Sequence, residues 1–170
     1  KKSTRNRAKI LGANGVMTLS VPLKKGKNNK SNIRSVEISY DNDWVANHLQ
    51  AIRSAYGNSP YYEHYIDELI SILNGRHQYL FDLNQALLEY FIKCIDIRCQ
   101  LSPTTSFQKS YSENYLDIRY QAYNKRQIPN FSPKPYEQVH GHSDHFESDL
   151  SAIDILMCKG PESIFWMLSP

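Results

Sequence analysis

The chain is poor in cysteine, and the little it has is badly placed for cross-linking. Three cysteines, Cys94, Cys99 and Cys158, leave one over in any pairing scheme, and none forms a CxxC pair. Neither a disulfide framework nor a zinc knuckle is supported, so a reducing, cytoplasmic setting is the default expectation. No apolar run approaches the roughly 18 residues that span a bilayer, so no integral membrane segment is expected. P-loop, GxGxxG, GxSxG and HExxH motifs are missing as well. Their absence removes the common NTPases, simple dinucleotide enzymes, α/β-hydrolases and zincins. No cofactor is expected from what remains.

Acidic side chains are the next absence. Residues 1–34 hold ten of the twenty Lys and Arg and no Asp or Glu, whereas from residue 35 onward ten basic residues face seventeen acidic ones. Positive charge confined to one end faces something anionic: a nucleotide, a nucleic acid, or the chain's own acidic remainder. Nucleic acid is the weakest of the three and is not expected as a partner. Residues 1–34 contain none of the aromatic side chains on which single strands stack.

What is present begins with "RNRAKILGANGVMTLSVPL", residues 5–23. Asn14-Gly15 predicts a type I′ hairpin turn, pairing Gly12 with Met17, Ile10 with Leu19, Ala8 with Val21 and Asn6 with Leu23. These pairs share one face, apolar except for Asn6, while Arg5, Arg7, Lys9, Thr18 and Ser20 share the other. The segment 24–32 reads as a solvated loop and "IRSVEISY" (33–40) as a third strand. Helices come next. Asp41 to Asp43 cap a stripe of Trp44, Val45, His48, Leu49, Ile52 and Tyr56, ended by Gly57. Ser59-Pro60 opens a second helix, and a third runs from about Phe81 to Ile97. Residues 98–136 are the least legible, with one short strand at "CQL". Ser151 with Asp154 three residues on has capping-box spacing, and Gly160-Pro161 ends that helix before a short last one at "ESIFWML". An N-terminal hairpin and third strand packed with four to five helices give an α+β fold, one domain over 1–170.

Several side chains are candidates for chemistry. On a strand, residues two apart sit about 6.5–7 Å from each other. Arg5, Arg7 and Lys9 at that spacing either keep an outer face wet or clasp a diphosphate through bidentate hydrogen bonds. Asn6 either pins a strand end or offers its amide to a ligand. His48, on an apolar stripe, is either a satisfied core histidine or a general base with a pKa of ordinary value near 6.5. His140, His142 and His145 with Asp144 invite a metal reading, but the glycine- and serine-containing segment suits a loop, and no metal is expected. Asp154 is most simply a structural capping residue. Asp117 with Arg119 is either a surface pair or a pocket pair. Tyr61, Tyr62 and Tyr65, at helical spacing, serve either as core and interface or as a sugar-stacking platform.

Three blocks, "RNRAKILGANGVMTLSVPL", "DWVANHLQAIRSAYGNSPYYEHY" and "DLSAIDILMCKGPES", resemble in that order parts of the WbqC-like family of bacterial proteins. The resemblance covers most of 3–100 and about 134–163, with a poor match between. It implies that the chain lacks an N-terminal segment of a few dozen residues that family members carry. It implies a place in O-antigen and other surface-polysaccharide biosynthesis, and a group transferase, with glycine or another aminoacyl group as the moved unit. The acceptor would be a nucleotide- or lipid-linked sugar. Within the family pattern Tyr136 and Gln138, in "PYEQV", line a pocket or serve the fold, and Arg5-Asn6-Arg7 is part of the resemblance. In this reading Arg5 and Arg7 hold the diphosphate, Asn6 orients it and His48 takes a proton. The competing expectations are a non-catalytic partner protein of a biosynthetic complex and, more remotely, a nucleic-acid-binding module.

Overall fold

The computed structural model describes residues 4–24, 32–117, 134–141 and 145–167. A 3-10 turn, Thr4–Asn6, leads into strand β1 (Arg7–Gly12), which pairs antiparallel with β2 (Gly15–Ser20). Ile10 faces Met17, Ala8 faces Leu19 and Gly12 faces Gly15, so the register is shifted by two from the expected one. A shift of two returns every side chain to its own face, and the apolar sorting survives. The reason lies in the turn. A type I′ turn needs positive φ at both central residues, but here only Gly15 takes it, with φ 101°, directly after Ala13 and Asn14. Nothing lies within 4 Å of where a Cβ on Gly15 would stand, so this glycine is required for its backbone and not for space.

The expected third strand does not form. Ile33–Ser35 is a 3-10 turn, and the residues after it make two isolated bridges, Ile38 with Leu23 and Glu37 with Tyr79. Ser39 N–H donates to the Pro22 carbonyl at 3.0 Å. Pro22 has no N–H with which to extend the ladder. On the other side Leu80 N–H donates to the Val36 carbonyl at 2.9 Å, and Leu80 already opens a helix. The segment is therefore a short tie between the hairpin exit and that helix.

Helix α1, Trp44–Tyr56, begins at Asp43, whose side chain accepts from Ala46 N–H at 3.2 Å, and ends at Gly57. Its buried stripe is Trp44, His48, Ile52 and Tyr56, each four residues from the last. Helix α2, Tyr62–Asn74, starts later than Ser59-Pro60, which instead form the turn after α1. Helix α3, Leu80–Cys94, stops short of Ile97 because Asp96 has φ 56°, outside the right-handed helical region. The "CQL" segment has no strand. Helix α4, Ala152–Lys159, ends at Gly160. The fifth helix expected after it amounts to one helical turn, Ser163–Met167.

The apolar hairpin face packs on α1, and β1 also touches α4; α2 packs on both α1 and α3. Ile10, Ile38, Trp44, Ile52, Leu69, Leu83 and Leu156 meet in a single buried core. Ser151 N–H donates to the Lys9 carbonyl at 2.9 Å, joining the entry of α4 to the outer edge of β1. Among the described residues no helix is long and apolar enough to cross a membrane.

Candidate functional site

The hairpin does not close flat against the helices. Between them lies a cavity of about 300 Å³, at the small end of the range of ligand sites. The hairpin contributes Ile10 and Leu19, α1 His48 and Ile52, α2 Leu69 and Leu73, and α3 Leu83, Leu87 and Phe91. Ile153 of α4 completes the apolar wall. Thr4, Arg5, Asn6 and Arg7, with Asn84 and Ser151, supply the polar lining. Thr4, Arg5 and Arg7 are exposed while Ile10, Ile52, Leu69 and Leu83 are buried, so charge sits at the rim and hydrocarbon inside.

Four of the sequence candidates, Arg5, Asn6, Arg7 and His48, line this one cavity. The expected strand alternation is not what brings the two arginines there. Arg5 belongs to the 3-10 turn and only Arg7 is in β1, so they do not project side by side from one pleated face. The turn is held at its base: Asn84 Nδ2 donates to the Arg5 carbonyl at 3.0 Å. Asn6 closes the hairpin end twice, its Nδ2 donating to the Val21 carbonyl at 3.0 Å and its own carbonyl accepting from Val21 N–H at 2.9 Å. The pinning role weighed for it is thus present. Lys9 pairs with Asp149, and Lys24 with Glu37 at 2.9 Å. Arg34 donates to the Thr104 carbonyl at 3.0 Å and lies over the Phe81 ring. These three basic side chains of the N-terminal region are engaged within the chain itself.

His48 is 9% exposed and meets the Trp44 ring edge-on, with centroids 5.0 Å apart. Desolvation pushes its pKa below the ordinary histidine value, against the opposing effect of a hydrogen bond to the Ser20 backbone. The ring is therefore neutral near pH 7, the state a proton acceptor must have, and the Ser20 contact orients it.

Tyr136 and Gln138 are not among the cavity residues but meet on Asp154, the residue after Ile153 of its α4 wall. Asp154 has no exposed surface. Its carboxylate accepts from Tyr136 Oη at 2.6 Å, Gln138 Nε2 at 3.0 Å and Tyr56 Oη at 2.9 Å. Gln138 is saturated, since Nε2 also donates to the Glu147 carbonyl and Oε1 accepts from Glu147 N–H at 3.1 Å. Tyr136 is flanked by Phe146 and Trp166. Burial, together with the neighbouring Asp154 charge, raises the pKa of both tyrosines and pushes the Cys158 thiol up to about 12. That thiol is unreactive at neutral pH. Asp154 does not complete a capping box: Ser151 makes no side-chain cap bond, and its Oγ is buried without a partner. Sequence reading missed this role because Tyr56 and Asp154 are 98 residues apart, too far for any local spacing to register.

Among the described residues, the remaining candidates form no metal-type cluster. His142, Asp144 and Arg119 lie outside the described residues. His145 Nε2 contacts Glu147 at 3.0 Å on the surface, and among the described residues no three metal-type side chains gather. Tyr62 is buried and Tyr61 and Tyr65 half-buried, as core and interface residues are.

The model of the WbqC-like protein family matches residues 1–129, about three quarters of the chain. The match includes the hairpin, α1 to α3 and every cavity residue except Ser151 and Ile153. The blocks from 134 onward lie beyond it. No curated protein and no solved structure matches the chain significantly.

Proposed function

The chain belongs to the WbqC-like protein family, and from that premise we propose that it is a group transferase acting on an anionic, carrier-linked sugar in surface-polysaccharide assembly. The observation that carries this reading is that Arg5, Asn6, Arg7 and His48, from three separate elements, line one cavity. The guanidinium groups at the rim hold the phosphates of the carrier, each capable of a bidentate contact. His48, kept neutral by burial, accepts the proton of an attacking amine or hydroxyl. That nucleophile forms its bond to an activated acyl carbon, an aminoacyl group being the first to test, and the activating group departs with the bonding electrons. Asn6, committed to Val21, positions Arg5 and Arg7 by holding the turn between them.

Thermal-shift titration with sugar nucleotides and lipid-linked sugars tests this directly. The expected outcome is stabilisation by at least one of them, lost when Arg5→Ala and Arg7→Ala are combined. Equal stabilisation of the double variant would remove the arginines from the site.

A second reading, a non-catalytic partner in a biosynthetic complex, draws on exposed apolar side chains: Phe107 at 76%, Leu116 at 87% and Phe165 at 71%. They do not lie on the tyrosine-rich helix α2, where that reading expected its patch. It requires that His48→Gln leave activity in cells unchanged, whereas the transferase reading requires its loss.

A further inference from the structure

We propose that the cavity receives a single hydrocarbon chain whose phosphate head stays at the rim, so that the carrier is a lipid phosphate and not a nucleotide. The assignment of the carrier rests on the transferase reading; the binding itself does not. Leu69, Leu73, Leu83, Leu87, Phe91 and Ile153 surround the interior. A nucleobase carries several donors and acceptors, each costly to bury without a partner. Of the polar side chains in the lining, Asn6 and Asn84 already donate to the Val21 and Arg5 carbonyls, which leaves behind the rim the His48 ring and the buried, unpartnered Ser151 hydroxyl, fewer groups than a nucleobase must satisfy. A hydrocarbon chain asks for no partner there. Apolar cavities of about half this volume, near 150 Å³, already bind small apolar molecules. The polar end is equally one-sided, because Arg5 and Arg7 are cationic and exposed at the mouth. Two guanidinium groups suit a dianionic phosphate better than a monoanionic carboxylate.

Chain length is the variable that discriminates. Titrating the unaltered protein by calorimetry with n-alkyl phosphates, below micelle-forming concentrations, is expected to show Kd falling about fourfold per added methylene. The fall ends once the cavity is full. The n-alkyl alcohol of equal length binds more weakly, and Arg5→Ala with Arg7→Ala brings the phosphate to the level of the alcohol. Leu87→Trp, which fills the cavity, abolishes binding of both. No dependence on chain length overturns the proposal, as does a fatty carboxylate bound as tightly as the phosphate. A sugar nucleotide bound more tightly than every alkyl phosphate overturns it too, yet leaves the transferase reading intact. Alkyl phosphate binding with no transfer to any sugar does the reverse.

Discussion

Asp154 is surrounded by three uncharged donors and no water-facing surface, an arrangement in which removal costs more than the hydrogen bonds themselves. Asp154→Ala leaves two phenols and an amide buried without an acceptor, each worth about 1–3 kcal/mol. The expected loss is about 3 kcal/mol or more, read from urea unfolding midpoints, against roughly 1–2 kcal/mol for Asp154→Asn. His48 makes the pH prediction. Its pKa is lowered in the folded state, so the unfolded chain takes up a proton there first as pH falls. The stability it contributes is whole above the unfolded value of about 6.5 and is lost as pH drops through the lower folded value. Denaturation at pH 5 to 8 should therefore show a weakening on the acid side that is smaller in His48→Gln. An identical pH profile for the two proteins would mean that burial does not suppress this charge.

At the scale of elements, most ends are set by one residue each. Asp43 starts α1 with a side-chain cap, and Asp96 stops α3 with a left-handed backbone. Gly160 stops α4 with φ 53°, and a Cβ there would stand 2.5 Å from the ring of Tyr61. Both the backbone and the space demand glycine. Gly160→Ala is expected to cost about 2 kcal/mol or more and to loosen the turn before α2, which a shift in the thermal midpoint would show. The hairpin teaches something different about legibility. Its alternation of apolar and polar residues told which side faces inward, but left the pairing free to move by two. Turn geometry decided the pairing, with Gly15 alone adopting positive φ.

Across the whole molecule, the two ends of the chain hold each other. Lys9 pairs with Asp149, Ser151 bonds to β1, and Leu156 and Met157 of α4 are fully buried in the core. Burying such side chains is worth about 1.5–3 kcal/mol each, against a net stability of about 5–15 kcal/mol for a typical domain. A chain cut after residue 150 loses these residues and the acceptor of the Asp154 network together. It should show no cooperative thermal transition. A sharp transition would mean that the family-matched region folds by itself, with α4 only docked upon it.

The α+β class, the inward face of the hairpin, the stripe of α1 and the caps at Asp43 and Gly57 were determined by the sequence alone. Each depends on a period or spacing within a dozen residues, which local sterics and hydrogen bonding translate directly into structure. Tertiary structure alone decided that "IRSVEISY" forms bridges instead of a strand, that Asp154 gathers Tyr56, Tyr136 and Gln138, and that His48 opens on the same cavity as Arg5 and Arg7. Those outcomes join residues up to 98 positions apart. They arise from which buried polar groups find partners and where apolar faces fail to close, neither of which leaves a periodic trace in the chain.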